Sequence, residues 1–419
     1  MGVTPSMRPT AGAPPALLLG GQENTLAITR SLSRRGVRVA VSARSRCLAL
    51  RSRFCWKRFP VPERASSADH WRRLLVTYPP PELEGCVILA CNDDAIEFIA
   101  SEGSALAGRY VLEEHVPSLR RALLDKQRTL ELAREAGVPA PRFWEAASLV
   151  DVERLAPEVQ FPAMIKPVHS HRFYQLFEGR KYLPARGMDD LLAGARAVLA
   201  RGLPFLVCEL VPGPDRLLSS YYTYIDERGE ALFRFTKSVI RRQPVNMGGG
   251  CYHVTEWLPE TAAIGERFFR SIGLRGLGNV EFKRDPRDGL LKLIESNARF
   301  TAAHELLVRA GMDTAAIVYD HLLGRPVAPP RRCRQGLRLW YPRQDFGAFR
   351  EMRRRGELTF AGWIRSIARR QVLPYFSVRD PWPSLVNSGR YLQQRLLRML
   401  GRSGATTTSL GRPNAPARP

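Results

Sequence analysis

The sequence has no run of about 18 consecutive apolar residues, which argues against a membrane-spanning helix. Its seven cysteines include no C-x-x-C pair and no His-linked zinc spacing, and the seven histidines show no metal-binding spacing either. Free thiols in a reducing compartment fit this pattern better than a disulfide framework. The apolar run 16–19 is too short for the hydrophobic region of a signal peptide. We therefore expect a cytoplasmic protein whose histidines are structural.

Two common site motifs are also missing. Gly20-Gly21 is followed by Gln-Glu-Asn-Thr, so G-x-G-x-x-G is absent, which argues against a dinucleotide site. There is no G-x-S-x-G, and no Cys/His pair is placed for nucleophilic catalysis.

Positive charge is abundant but unevenly placed. The chain of 419 residues carries a formal net charge of +24, with ordinary contents of hydrophobic (44%) and charged (25%) residues. Residues 331–419 contain 19 Lys and Arg against 4 Asp and Glu, an excess of 15. The charge therefore bears on the partner of the C-terminal region rather than on a reaction in the body of the protein.

The N-terminal part predicts an α/β domain. Residues 16–20 and 37–41 are strand-like and flank a helical segment that ends at Gly36, which makes a β-α-β unit and a parallel sheet. Cys86–Ala90 is a third strand, followed by Asn92 as a helix N-cap. We predict a doubly wound, Rossmann-like domain over residues 15–112, preceded by a disordered tail at 1–14.

The middle of the chain has a different pattern of predicted helices and strands. Residues 123–136 predict one amphipathic helix, and five strand-like segments then form an antiparallel-looking set. The segments are 163–166, 205–210, 220–225, 279–283 and 291–296. We place a second, α+β domain at 113–330, and length alone allows two or three domains.

A predicted hairpin carries the most specific chemistry. With its loop centred on residue 288, Glu281 faces Glu295 and Phe282 faces Ile294, and Asn297 joins the carboxylate face. Paired like charges on a sheet are destabilising, and a bound cation relieves them. Two carboxylates and an amide oxygen are ligands suited to Mg²⁺, whereas the alternative is a solvated face of alternating charge.

Neighbouring segments offer nucleotide contacts. Lys166 ends an apolar strand, where it is placed either to reach a phosphate or simply to remain exposed. The strand that includes Glu209, Leu210 and Val211 leads into Pro-Gly-Pro-Asp215, so its backbone could meet an adenine edge and Asp215 could accept from ribose hydroxyls.

A glycine-rich segment follows further along. Arg242, with Lys237 before it, precedes Gly248–Gly250 and could bind phosphate or an acid substrate. The alternative is a flexible basic surface turn.

Taken in order, these motifs resemble the ATP-grasp superfamily, and within it the carbamoyl-phosphate-synthase-like carboxylate–amine ligases. The resemblance covers roughly residues 15–330 and rests on Asp125-Lys126, Ile165-Lys166-Pro167, Glu209 to Asp215, Glu281, and Glu295-Ser-Asn297-Ala-Arg299. It implies a Rossmann-like pre-ATP-grasp domain and a two-lobed ATP-grasp domain that uses ATP with Mg²⁺ or Mn²⁺.

The resemblance also implies roles for individual residues. Lys126 and Lys166 would contact ATP phosphates, Glu209, Leu210 and Val211 would form the adenine hinge, and Asp215 would bind ribose. Glu281, Glu295 and Asn297 would hold the metal, and Arg299 would stabilise the transferring phosphoryl group. The family's Gly- and Ser-rich phosphate loop is replaced here by His169-Ser-His-Arg-Phe-Tyr174, so Lys181 is a substitute contact or a solvated loop lysine.

The C-terminal region, 331–400, predicts basic amphipathic helices, with a disordered tail at 401–419. Trp340, Trp363 and Trp382 lie among many arginines over residues 338–400. Such helices form a cap on the catalytic body, lie on an anionic membrane surface or bind nucleic acid, in that order of preference.

The predicted function is ATP-dependent activation of a carboxylate as an acyl phosphate for attack by an amine. Three alternatives stay open: a nucleotide-binding regulator without turnover, a basic nucleic-acid-binding protein, and an ATP-dependent enzyme that uses a thiol or hydroxyl nucleophile. The sequence names neither the acid nor the amine, and it does not give the oligomeric state.

Overall fold

The computed structural model describes residues 12–114, 116–168, 173, 176–177, 180, 182–327 and 333–402. Most of the two tails predicted to be disordered, 1–14 and 401–419, therefore lies outside the described residues, as does Lys181.

The first domain is built on a parallel sheet, as the β-α-β pattern predicts. Its strand order is β3-β2-β1-β4, and β1 pairs in parallel with both β2 and β4. Strands β1, β2 and β4 are fully buried, which explains their continuous apolar runs. The elements are β1 (Ala16–Leu19), α1 (Glu23–Arg34), β2 (Val39–Ser42), β3 (Cys55–Arg58), α2 (Ser67–Arg72), β4 (Val87–Ala90) and α3 (Asp93–Ala107).

Side-chain caps set two helix boundaries. The Asn92 side chain accepts the backbone N–H of Ala95, which confirms the predicted cap of α3. The helix predicted over 123–136 is confirmed as α5 (Lys126–Glu135), but its predicted start is wrong, because residues 123 and 124 end a separate helix, α4 (Pro117–Leu124). Asp125 lies between them in an extended conformation, and its carboxylate accepts the first N–H groups of α5.

A small antiparallel sheet follows, with strand order β5-β8-β6-β7. Its elements are β5 (Phe143–Ala146), α6 (Leu149–Arg154), β6 (Ala163–Pro167), β7 (Leu183–Ala185), α7 (Met188–Leu199) and β8 (Phe205–Glu209). The two helices pack over one face of this sheet around Ile165, Phe205 and Val207. Lys166 therefore lies on β6 and Glu209 ends β8.

The larger sheet has the order β13-β12-β9-β10-β11-β14-β15, where β15 is Gln371–Val372. Its strands and adjoining helices run β9 (Leu218–Ile225), β10 (Ala231–Gln243), β11 (Gly249–Thr255), α8 (Pro259–Ser271), β12 (Gly276–Arg284), β13 (Leu291–Asn297), α9 (His304–Ala310), α10 (Thr314–Leu322) and β14 (Arg338–Trp340). Arg242 pairs with Gly250 at the end of the β10–β11 hairpin, and residues 244–248 form the turn between the two strands.

The C-terminal region mixes helices and strands. It contains α11 (Pro342–Arg354), α12 (Phe360–Ile367), β15 (Gln371–Val372) and α13 (Trp382–Arg402). The prediction of helices throughout 338–400 is wrong at β14 and β15, which extend the large sheet beyond β11 and pair with each other. No helix among the described residues combines the length and hydropathy needed to cross a bilayer.

Buried ion pairs join this region to the rest of the protein. The Asp345 carboxylate accepts from Arg241 at 2.6 and 3.0 Å, and from the indole N–H groups of Trp340 and Trp363. Asp380 accepts from Arg30 of α1 at 2.9 Å. Both carboxylates are fully buried, so residues 338–380 are part of the packed body.

Candidate functional site

The β12–β13 hairpin brings the predicted metal ligands together. Glu281 pairs with Glu295, which confirms the predicted alignment, and Asn279 pairs with Asn297 one step further along. Cross-strand partners share a face of the sheet, so two carboxylates and two amides project from the same side. Oxygen ligands in this arrangement suit a hard divalent cation such as Mg²⁺.

A bulge corrects one detail of the predicted register. Phe282 faces Leu293 and not Ile294, because the ladder shifts between Glu281 and Phe282. The extra residue of a bulge is left out of regular pairing. The Ile294 carbonyl oxygen accepts from Lys166 Nζ at 3.3 Å, so the bulge places this lysine beside Glu295.

The carboxylate face continues across two more strands. Glu281 pairs with Ser220 on β9, and Ser220 pairs with Lys237 on β10. Lys237 Nζ donates to Ser220 Oγ at 3.0 Å and lies 3.4 Å from His253 Nδ1. Burial lowers the pKa of Lys237, although Glu281 acts in the opposite direction. Sequence reasoning named Lys237 but missed Ser220, which has no local signal of its own.

The two predicted phosphate lysines lie on separate elements that converge. Lys126, the first residue of α5, donates to the Pro167 carbonyl at 3.3 Å, immediately after Lys166 on β6. Both contacts are long for a charged donor, for which about 2.7–2.9 Å is typical. Lys181, the third candidate, lies outside the described residues.

A cleft of about 700 Å³ opens between the first domain and the hairpin. Lys126, Glu295 and Asn297 line one side, and Asp93 and Asp94 at the start of α3 line the other. Arg44, Arg72 and Arg121 also line this cleft. Side chains of both signs are therefore available to a polar substrate.

Arg299 connects the cleft to the first domain. Its Nε donates to Asp93 in a short ion pair. Burial opposes the charge of Arg299, but Asp93 and then Glu295 raise the pKa of its guanidinium. Asp93 is a site residue that sequence reasoning missed, since its only signal is a position after a helix cap.

The predicted hinge is fixed by side chains of the hairpin. Glu209 forms ion pairs with Arg287 and with Lys292, the latter at 3.5 Å. Lys283 Nζ donates to the carbonyls of Val211 at 2.9 Å and Gly213 at 2.8 Å. Burial lowers the pKa of Lys283 to about 8. The chain that leaves β8 is thus held against the same strand, β12, that carries Glu281.

Asp215 and Arg242 lie together in an ion pair. Arg242 Nε donates to Asp215 Oδ1 at 2.7 Å, and its backbone N–H donates to Oδ2 at 2.9 Å. Asp215 is 5% exposed. Ribose binding by Asp215 and acid binding by Arg242 would each have to coexist with this pair.

Comparison with known proteins identifies the fold. The chain resembles the biotin carboxylase domain of Hydrogenobacter thermophilus 2-oxoglutarate carboxylase, solved with MgADP, ADP and bicarbonate (TM-score 0.60, 16% identity, 77% of this chain and 72% of that chain). It also resembles a carboxyaminoimidazole ribonucleotide synthase from Aspergillus clavatus complexed with ATP (TM-score 0.60, 14% identity, 77% of this chain and 80% of that chain). A third similar structure is that of an L-amino acid ligase from Bacillus licheniformis (TM-score 0.54, 18% identity, 77% of this chain and 76% of that chain).

This chain has an ATP-grasp fold. The predicted fold is thereby confirmed. No protein-family model matches the sequence. A D-aspartate ligase of Enterococcus faecium (strain Aus0004) is 26% identical over an alignment of 251 residues, and the match covers 57% of this chain. The match spans 59% of that relative's length.

Proposed function

We propose that this ATP-grasp protein is an ATP-dependent ligase that activates a carboxylate as an acyl phosphate and transfers the acyl group to an amine. The observation that carries the proposal is the Glu281–Glu295 pair with Asn297 on one sheet face, beside Lys166 and across a cleft from the first domain. The names of two similar proteins, a D-aspartate ligase and an L-amino acid ligase, support the same reaction class.

Each site residue has a proposed role that follows from its charge or its backbone groups. Glu281, Glu295 and Asn297 would hold Mg²⁺ or Mn²⁺, which neutralises phosphate charge when bound. Lys126 and Lys166 would exchange their carbonyl partners for phosphate oxygens, and we keep Lys181 as a further phosphate contact. The backbone of Glu209, Leu210 and Val211 would receive adenine. Lys283 holds this hinge from behind.

The reaction balances without a redox partner. A carboxylate oxygen of the acid attacks the γ-phosphorus of ATP, the bond to the bridging oxygen breaks, and ADP leaves. The amine then attacks the acyl carbon, inorganic phosphate leaves, and the amine proton passes to solvent. Arg299, positioned by its ion pair with Asp93, would stabilise negative charge on the transferring phosphoryl group. Arg242 would keep its ion pair with Asp215, and this pair would lie between the ribose site and the acid site.

The acid we propose to test first is an amino acid. The relative's name singles out D-aspartate, and the cleft that adjoins Glu295 presents arginines that suit a second carboxylate. The experiment is an ADP-release screen of carboxylic acids crossed with amines, read out with product mass. Release that needs both an acid and an amine supports the ligase. ATP binding without turnover over the whole panel would instead support a regulator, and a requirement for a thiol or hydroxyl would replace the amine.

A second proposal concerns where the protein works. Helix α13 leaves a row of large apolar side chains in solvent, with Trp382 58%, Leu392 63% and Leu396 55% exposed. The region that contains it has an excess of 15 positive charges. An exposed apolar face on a basic helix matches an anionic membrane surface, where it would lie in the interface. We therefore propose peripheral, salt-sensitive membrane association through α13, with salt-sensitive oligonucleotide binding as the competing result.

A further inference from the structure

A group of metal-ligating side chains lies away from the carboxylate face of the hairpin. Glu114 precedes α4, Glu227 lies in the turn between β9 and β10, and His321 is in α10. One ligand atom from each of the three residues lies within 4.8 Å of the others. The sequence offered no hint of this group, because its members are more than 90 positions apart.

The two distances measured from His321 match those between ligands of one metal ion. His321 Nε2 lies 3.4 Å from Glu114 Oε1 and 3.4 Å from Glu227 Oε2. With metal–ligand bonds of about 2.0–2.1 Å, the ligand atoms of a tetrahedral zinc site are about 3.3–3.4 Å apart. A direct charge-assisted hydrogen bond would be shorter, about 2.7–2.9 Å. His321 Nε2 is buried and has no hydrogen-bond partner among the described residues.

The surroundings orient each carboxylate. Tyr224 donates its hydroxyl to Glu114 Oε2 at 2.8 Å, which leaves Oε1 on the side of His321. Arg228 lies 3.8 Å from Glu227 Oε1, and Oε2 is the oxygen near the imidazole. The His321 ring packs edge-on against Tyr224, with ring centroids 5.4 Å apart. In metal sites, contacts of this kind come from outside the first coordination sphere and orient the ligands.

We propose that Glu114, Glu227 and His321 bind a divalent transition-metal ion of the Zn²⁺ class. One imidazole nitrogen and two carboxylate oxygens suit such an ion, and a fourth position remains for water. The ion would connect the segment that leads out of the first domain to two separate parts of the large-sheet domain. Its role would be to stabilise the folded chain, since a ligand bound only by the folded state raises stability.

The test is a titration of chelator-treated, full-length protein with ZnCl₂, followed by calorimetry and thermal unfolding. We expect one Zn²⁺ per chain and a raised Tm. His321→Ala and Glu227→Gln should each weaken binding at least tenfold. The matched controls are Glu230→Gln, an exposed carboxylate of the same turn, and His70→Ala, and both should bind as the wild type does.

The proposed Mg²⁺ ligands could also take Zn²⁺, so the titration is repeated in a Glu295→Gln background. Binding that persists there and disappears on addition of His321→Ala assigns the ion to the new site. Loss of binding with Glu295→Gln alone would overturn the proposal, as would unchanged binding in His321→Ala. A third overturning result is a Tm that does not respond to Zn²⁺, which would leave an imidazolium–carboxylate ion pair as the explanation. None of these readouts depends on ligase activity.

Discussion

Glu281 lies directly opposite Glu295 across the β12–β13 hairpin. Two like charges in this position repel each other in the absence of a cation. Asn297, on the same strand as Glu295, shares their face of the sheet, and Lys166 on β6 of the smaller sheet donates to the Ile294 carbonyl at 3.3 Å. If the pair holds a metal ion as proposed, it weakens the hairpin in the absence of the ion and binds the ion when it is present. Mutation can separate these two effects.

Glu295→Gln should abolish Mg²⁺-dependent turnover while the fold is retained. We expect kcat to fall by roughly 10²-fold or more, since the amide removes one anionic ligand where phosphoryl charge is neutralised. Stability without metal should hold or rise because the repulsion with Glu281 is relieved. Steady-state kinetics and urea unfolding measure the two effects, with Glu260→Gln as a control, since Glu260 is an exposed carboxylate of α8 that pairs with Arg284 at the end of β12. Full turnover at saturating Mg²⁺·ATP would reject the metal assignment.

Lys166→Ala should weaken ATP binding by about 10- to 100-fold, because a partly buried, charge-assisted phosphate contact contributes about 1.5–3 kcal/mol. Arg354→Ala is the matched control, since Arg354 is exposed and its charge is screened by salt. Calorimetry with a non-hydrolysable ATP analogue compares the two variants. An equal loss of ATP affinity in the two variants would mean that Lys166 does not contact a phosphate.

Asp345→Ala should destabilise the protein by about 3–5 kcal/mol, because it leaves the buried guanidinium of Arg241 without its anion. The indole N–H groups of Trp340 and Trp363, which donate to Asp345, would also lose their acceptor. Asp345→Asn keeps one acceptor oxygen and should cost less. Urea unfolding of both variants tests whether residues 338–367 fold together with the large sheet; a separate early transition for this region would contradict it.

Leu392→Asp combined with Leu396→Asp should lower association with anionic liposomes. The apolar face of α13 is interrupted, while each basic residue near the surface still contributes roughly 1 kcal/mol. A control with Val150→Asp and Leu290→Asp also removes two exposed apolar side chains, but in other parts of the chain. Co-sedimentation with vesicles of graded anionic content decides the matter. Wild-type protein that stays in the supernatant at low salt would exclude the membrane proposal.

Lys283 should make stability rise with pH in the alkaline range. Its pKa is lowered to about 8 in the folded protein by burial, whereas an unfolded lysine titrates near 10.5. Between these two pKa values the unfolded chain binds more protons than the folded chain, so the free energy of unfolding increases as pH rises. Below about pH 8 the lysine is protonated in both states and adds no pH dependence. Urea unfolding between pH 7.5 and 10 should show this slope in the wild type and lose it in Lys283→Met. Identical slopes would contradict the assignment.

The sequence by itself determined the features that depend on neighbours along the chain. The β-α-β start, the Asn92 cap and the pairing of Glu281 with Glu295 follow from local hydrogen bonding, side-chain alternation and a short turn. Order and spacing of such local motifs were enough to indicate the ATP-grasp fold. The bulge at Ile294 escaped prediction, because alternation alone does not report an extra residue in a strand.

Tertiary structure decided what distant segments do to each other. Only the packed chain brings Asp93 to Arg299, Asp215 to Arg242 and Asp345 to Arg241. The same holds for His321 with Glu114 and Glu227, which no spacing in the sequence connects. Contacts of this kind depend on how sheets and helices pack, and burial then sets their charge and strength. The residues of the proposed reaction were visible in the sequence, whereas their partners became visible only in the fold.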